Sequence, residues 1–152
     1  MSKVKAIPEG YTSLTPYLIV KGGAKALDWY AKAFGAKELY RMPMPDGRIG
    51  HAEMEIGNAR FMLADEVPER NVLAPRGPPP MSLMIYTEDV EAMWKRALAA
   101  GGKQERPLTT QFYGDRSGIL DDPFGHKWTV AQHVEDVPPE EIERRAKQQP
   151  HG

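Results

Sequence analysis

Apolar positions along the chain switch between two spacings, and the switches mark the elements. Over 13–20 (SLTPYLIV) they alternate, which predicts a strand. Over 21–36 (KGGAKALDWYAKAFGA) they take helical spacing, with Ala26, Leu27, Tyr30, Ala31 and Phe34 on one face and Gly35 placed to end the helix. KELYRMPM (37–44) reads as a second strand, and Pro45-Asp46-Gly47 as a turn. RIGHAEMEI and ARFMLAD then form a hairpin around Gly57-Asn58. The order is strand, helix, strand, strand, strand.

A connector over 67–80 (VPERNVLAPRGPPP) interrupts this pattern; its five prolines make it semi-rigid. Then the order repeats. MSLMIYTED predicts a strand, and VEAMWKRALAAGG a helix with Val90, Met93, Trp94, Ala97 and Leu98 on one face and glycine at its end. KQERPLTTQF is a weak strand. RSGILDD and HKWTVAQH are two more, joined by Asp122-Pro123-Phe124-Gly125 with the residue choice of a type I turn. Asp46–Gly50 resembles Asp115–Gly118, and Gly57-Asn58 resembles Gly125-His126, which suggests a duplication. The organisation is thus an arm (1–11), a first βαβββ module (12–66), the connector (67–80), a second module (81–134), and a C-terminal helix and tail (135–152). The expected class is α+β: two modules forming a curved mixed-sheet cup with helices on its outer face, because one helix cannot cover both faces of four strands.

Strand alternation also sorts side chains onto two faces. Leu14, Leu18, Val20, Ala52, Met54, Ile56, Phe61, Leu63, Leu83, Ile85, Trp128 and Val130 share the apolar parity and are expected under the helices. The other parity is mixed: Thr15, Tyr17, His51, Glu53, Glu55, Met62, Ser82, Met84, Tyr86 and Thr129. Aromatic, thioether and polar groups together are the usual lining of a small-molecule pocket.

Composition narrows the chemistry. At 41% hydrophobic and 27% charged, the 152-residue chain is of ordinary globular type, and a net charge of -1 gives no field favouring nucleic acid or an anionic membrane. No apolar run is long enough to span a bilayer, and MSKVKAIPEGYTS lacks the apolar core of a signal peptide. The absence of cysteine excludes disulfides, thiolate zinc sites and thiol nucleophiles, and fits a cytoplasmic protein.

Two clusters carry candidate chemistry. His51 and Glu53 lie two apart on one strand, about 7 Å along it. They read either as an acid/base or metal pair, with Gln111 as a further donor, or as a hydrogen-bonded histidine beside a solvated glutamate. Gln111, Tyr113 and Arg116 could grip an anionic or planar ligand at the border of the cup, since arginine pairs bidentately with carboxylates. The same stretch also reads as a turn in which Asp115 and Arg116 serve structure. His126 and His133 read as turn and strand-end residues, and Trp29 and Trp94 as packing.

Several segments resemble a known family: PYLIVKGGAKALDWYAKAFGA, DGRIGHAEMEIGNARFMLADE, FYGDRSGILDDPFGHKWTVAQHVEDV and the helix starting near Pro138. Together they are similar to the vicinal oxygen chelate superfamily, which includes glyoxalase I, extradiol dioxygenases, fosfomycin-resistance enzymes and bleomycin-binding proteins, and in wording to its PhnB-like branch. Enzymes of that superfamily hold a divalent metal with His, Gln or Glu from the first and last strands of each module. The resemblance puts those positions at Thr15, Met62, Ser82 and Thr129, none of which replaces imidazole or carboxylate. It therefore implies a homodimeric protein that binds a small organic molecule in the cup, without the usual metal box or a resident cofactor. Thr15, Tyr17, Met62, Ser82, Met84, Gln111, Tyr113, Arg116 and Thr129 would contact the ligand. The alternative is a lyase or isomerase with a displaced acid/base or divalent-metal site at His51 and Glu53.

Overall fold

The computed structural model describes residues 3–150. The chain divides into two compact units at Pro79–Pro80. The first holds β1 (Tyr17–Val20), α1 (Gly23–Phe34), β2 (Lys37–Pro43), β3 (Ile49–Ile56) and β4 (Ala59–Asp65). The second holds β5 (Ser82–Tyr86), α2 (Val90–Ala99), β6 (Lys103–Thr110), β7 (Asp115–Asp121), β8 (Lys127–His133) and α3 (Pro139–Ala146). The fold class is α+β, with two open four-stranded mixed sheets ordered β1-β4-β3-β2 and β5-β8-β7-β6. In each, the first and last strands pair parallel and the remaining pairs are antiparallel.

The core of each unit is the apolar parity of its strands against one helix. In the first, Leu18, Val20, Ala52, Met54, Phe61 and Leu63 are buried with Leu27, Tyr30 and Phe34 of α1. Tyr30 meets Phe61 edge to face, with centroids 5.7 Å apart. In the second, Ile85, Leu120, Trp128 and Val130 are buried with Val90, Trp94 and Ala97. Gly118 lets the α2 tryptophan lie on β7: a Cβ there would sit 2.7 Å from the Trp94 ring.

The helices start differently. Asp89 caps α2 in the usual way, its carboxylate accepting the Ala92 N–H at 3.1 Å. α1 begins at Gly22 with no side-chain cap of its own. Asp65, at the end of β4, accepts the N–H groups of Gly22 (2.8 Å) and Gly23 (3.0 Å) on one oxygen and that of Ile49 (2.7 Å) on the other. One buried carboxylate thus ties helix, β3 and β4 together.

Three expectations are corrected. The first strand begins at Tyr17 rather than residue 13, and Leu14 is 87% exposed instead of lying under a helix. Local bonds from the Thr12 hydroxyl to the Leu14 carbonyl and from the Thr15 hydroxyl to the Thr12 carbonyl hold 12–15 in a turn. The ladder opens only at the carbonyl of Pro16, a residue with no N–H to give. Ala31 is exposed on α1, and Trp29 takes a buried place instead. The internal repeat is also phased differently. Tyr17 faces Met62 as Met84 faces Thr129, and Glu53 faces Met62 as Ile119 faces Thr129. His51 therefore matches Ser117, and the register shift between Met42 and Pro43 ends the correspondence at Gly50.

Candidate functional site

The open face of the first sheet concentrates polar chemistry. Tyr17 on β1 and His51 on β3 meet with 2.8 Å between the phenol oxygen and Nδ1. The other ring nitrogen, Nε2, lies 3.2 Å from a Glu53 oxygen. A carboxylate only accepts, so His51 carries its proton on Nε2, and Nδ1 is left to accept the Tyr17 hydroxyl. The second Glu53 oxygen accepts the hydroxyl of Tyr11, whose ring also lies under the Arg60 guanidinium at 5.2 Å. The result is a chain, Tyr11–Glu53–His51–Tyr17, whose far end is the Tyr17 phenol.

The charges agree with this order. The Tyr11 hydroxyl, then the His51 ring, holds the Glu53 carboxyl below the usual carboxylate range. Burial, then the bond to Glu53, pushes the Tyr11 phenol up to about 12. Burial and the Glu53 charge also raise the Tyr17 phenol. Glu53 is thus a fixed anion that orients His51.

Tyr17 also lines a cavity of about 460 Å³ on this face, walled by Ile19, Met42, Met44, Val67 and Val72. Gly50 makes room for the wall, since a Cβ there would sit 2.7 Å from the Met44 sulfur and 2.8 Å from the Met42 methyl. One side is the 3-10 turn Pro68–Arg70, closed by a bridge between Val67 and Val72.

The second unit holds a different constellation. Buried Asp115 accepts the Tyr86 hydroxyl at 2.7 Å and lies 2.8 Å from His133 Nδ1, while Nε2 of the same ring is 2.7 Å from Asp136. Asp115, then Asp136, raises the His133 imidazole above its ordinary value of 6.5. A raised imidazole value means that the folded state binds the proton more tightly. Its stabilising contribution is full below the ordinary value and disappears as pH rises through the raised one. The difference in unfolding free energy between the wild type and His133→Gln is therefore expected to shrink from pH 6 to pH 9 in urea titrations. A difference constant across that range would refute the assignment.

Of the residues expected to form the site, the structure brings Tyr17, His51, Glu53 and Met62 together on one face. Met84 and Thr129 share a rung of the second sheet, the first exposed and the second buried, and Ser82 faces Lys127. Gln111 caps the turn before β7, its side-chain amide on the Thr109 carbonyl at 3.4 Å, and Tyr113 packs edge to face on Phe112. Arg116 does not join the open face. It shares the phase of Gly118 and Leu120, and its Nε pairs with Glu91 of α2 at 2.5 Å on the helix side. Thr15 lies outside β1. The sequence reading missed Asp115 as a partner of Tyr86 and His133. The apolar phase of Leu120 would have shown that Asp115, not Arg116, faces away from the helix.

The model of the Glyoxalase/Bleomycin resistance protein/Dioxygenase superfamily matches residues 11–130. The chain belongs to this superfamily. An uncharacterized protein of Mycobacterium bovis is 39% identical over 145 residues, 92% of this chain and 95% of its own. Among solved structures, TioX from Micromonospora sp. ML1 has a TM-score of 0.65 at 26% identity, covering 81% of this chain and 99% of its own. A PhnB protein from Bacillus cereus has a TM-score of 0.62 at 18% identity, with 80% and 99% covered; that likeness is one of fold.

The four positions equated with metal ligands in this glyoxalase-like chain do not suit a divalent ion. Thr15 turns its hydroxyl to a local carbonyl, and the in-register partners of Met62 and Thr129 are Tyr17 and Met84. Hydroxyls, a phenol and thioethers are poor donors to zinc or manganese. Among the described residues, no group of three or more His, Asp or Glu is placed to hold a metal ion, and no helix is long and apolar enough to cross a membrane.

Proposed function

We propose that this superfamily member binds a small organic molecule in the first-module cavity, as a PhnB-like protein that needs no resident metal or cofactor. The observation that carries the reading is the cavity itself, with its apolar wall and the Tyr17 phenol anchored through His51 to Glu53. Apolar walls with a few fixed polar groups are how small-molecule sites are built. The wording of the matching segments supports the PhnB-like branch, and the Bacillus cereus neighbour is consistent with it. Cytoplasmic residence and a homodimer without nucleic-acid or membrane partners belong to the same proposal. The near-neutral charge supports the absence of nucleic-acid and membrane partners, the absence of cysteine fits the cytoplasm, and the homodimer is what the superfamily resemblance implies.

A second reading is favoured by one feature. Glu53 fixes the His51 tautomer so that Nδ1 can take the Tyr17 proton. That is the orienter–base–donor arrangement of acid–base catalysis, with Tyr17 as the group presented to a substrate. A lyase or isomerase step would use it.

A thermal-shift screen of small organic molecules tests both readings. Compounds that raise the melting temperature of the wild type are expected to bind about tenfold more weakly to Tyr17→Phe, which loses one hydrogen bond. If no compound stabilises the protein, or if Tyr17→Phe binds every hit as well as the wild type, the cavity reading fails. Turnover of a hit that vanishes in His51→Ala while binding persists would put the enzyme first. Light scattering that gives the mass of one chain at micromolar concentration would remove the homodimer from the proposal.

A further inference from the structure

The charges around the first-module cavity sum to zero but are unequally paired. Four charged side chains line it: Arg48, Asp65, Glu69 and Arg70. Asp65 is buried and already accepts three backbone N–H groups. Arg48 pairs with Asp46 at 2.8 Å and with Glu69 at 3.7 Å. Arg70 is different: among the described residues its guanidinium has no hydrogen-bond or ion-pair partner. Its backbone, by contrast, is held firmly. The turn Pro68–Arg70 is fixed by the Val67–Val72 bridge, with backbone bonds of 2.8 and 3.1 Å, and by Asn71 in the left-handed region at φ 58. A fixed backbone carries a free planar cation beside an apolar wall.

We infer that the cavity takes an amphipathic monocarboxylate, with the carboxylate on Arg70 and the apolar body against Ile19, Met42, Met44, Val67 and Val72. The inference rests on the cavity reading above and deepens it by naming the ligand class. A guanidinium matches a carboxylate with two parallel N–H···O bonds, which a neutral amide cannot reproduce. One unpaired cation balances one negative charge. A dianion would bring its second charge toward the Asp65 and Glu69 carboxylates, and an organic cation would leave the Arg70 guanidinium unpaired. The same pose would leave the far end of the ligand toward Tyr17, where the hydrogen-bonded chain to His51 and Glu53 begins.

Calorimetric titration of the full chain with hexanoate, 3-phenylpropanoate and their primary amides, at low ionic strength, tests this. Each acid is expected to bind at least about tenfold more tightly than its amide. In Arg70→Gln the ratio is expected to fall to about twofold or less through loss of acid binding, with amide binding unchanged. Met44→Trp, an exposed position on the wall, is expected to weaken acid and amide alike by filling the space. If acid and amide bind equally to the wild type and both weaken in Met44→Trp, the monocarboxylate inference falls and the cavity reading stands. An acid preference that survives in Arg70→Gln also overturns the inference. If no probe binds, or if Met44→Trp changes nothing, the monocarboxylate inference falls, and the cavity reading stands or falls with the thermal-shift screen.

Discussion

Asp65→Ala is expected to lower the unfolding free energy by about 3–4 kcal/mol. The carboxylate accepts the N–H groups of Gly22, Gly23 and Ile49, and it is 8% exposed. Alanine would leave three donors facing a gap, two of them at the start of a helix that has no other side-chain cap. Neighbouring groups cannot close the gap without moving β3, because Gly23 already sits tightly: a Cβ on it would meet an Asp65 oxygen and Ile49 Cβ at 2.8 Å each. Urea denaturation should show a lower midpoint with an unchanged slope. Asp65→Asn should cost about half as much, since its carbonyl oxygen can still serve Gly22 and Gly23 while its amide faces the Ile49 N–H. A loss below about 1 kcal/mol for alanine would show that water or a backbone shift replaces the carboxylate, and that the carboxylate is not what joins α1 to the sheet.

Asp122→Ala should lose about 3 kcal/mol by the same physics in the other unit. One Asp122 oxygen accepts the Phe124 N–H at 2.8 Å and the His126 N–H at 3.0 Å, closing the turn between β7 and β8. The other accepts the indole N–H of Trp128 at 2.8 Å, and that ring is 2% exposed in the core. Removing the carboxylate therefore opens a turn and leaves a buried indole donor unpaired at once. Tryptophan fluorescence and far-UV circular dichroism, followed together in urea, should show the loss as one shifted transition. A tryptophan spectrum and a midpoint both identical to the wild type would mean that the indole bond carries no weight.

These two aspartates differ in how far the sequence announces them. Asp122 opens Asp-Pro-Phe-Gly, so its role in a turn follows from local chain preferences. Its hold on Trp128 also follows from proximity, six residues along the same hairpin. Asp65 ends a strand and gives no local sign of capping a helix that starts 42 residues earlier. Its partners are set by the parallel pairing of β1 and β4, which brings the start of α1 beside the end of β4.

The same division runs through the candidate site. Alternation by itself put Tyr17, His51, Glu53 and Met62 on one face, because side chains in a strand point up and down in turn whatever the strand pairs with. Helix periodicity named Leu27, Tyr30, Phe34, Val90, Trp94 and Ala97 as core for the same local reason. Alternation says nothing about where a strand begins. Thr15 is therefore expected on the strand with Tyr17, whereas the structure holds it in the turn at 12–15. Nor does it say which residues stand on one rung, so Tyr17 rather than Thr15 faces Met62. Arg116 and Asp115 are neighbours in sequence and opposites in space, one paired with α2 and the other with Tyr86 and His133. The cavity wall needed a turn in a proline-rich connector to fold back beside β1, and the unpaired guanidinium of Arg70 became visible only when the other charged side chains lining the cavity had found their bonding partners among the described residues. Element type, face and hairpin turns were determined by the sequence, since short-range sterics and burial act on neighbouring residues. Register, capping across strands and the balance of charge were decided by the tertiary structure, since each depends on which distant groups come within about 3–4 Å of one another.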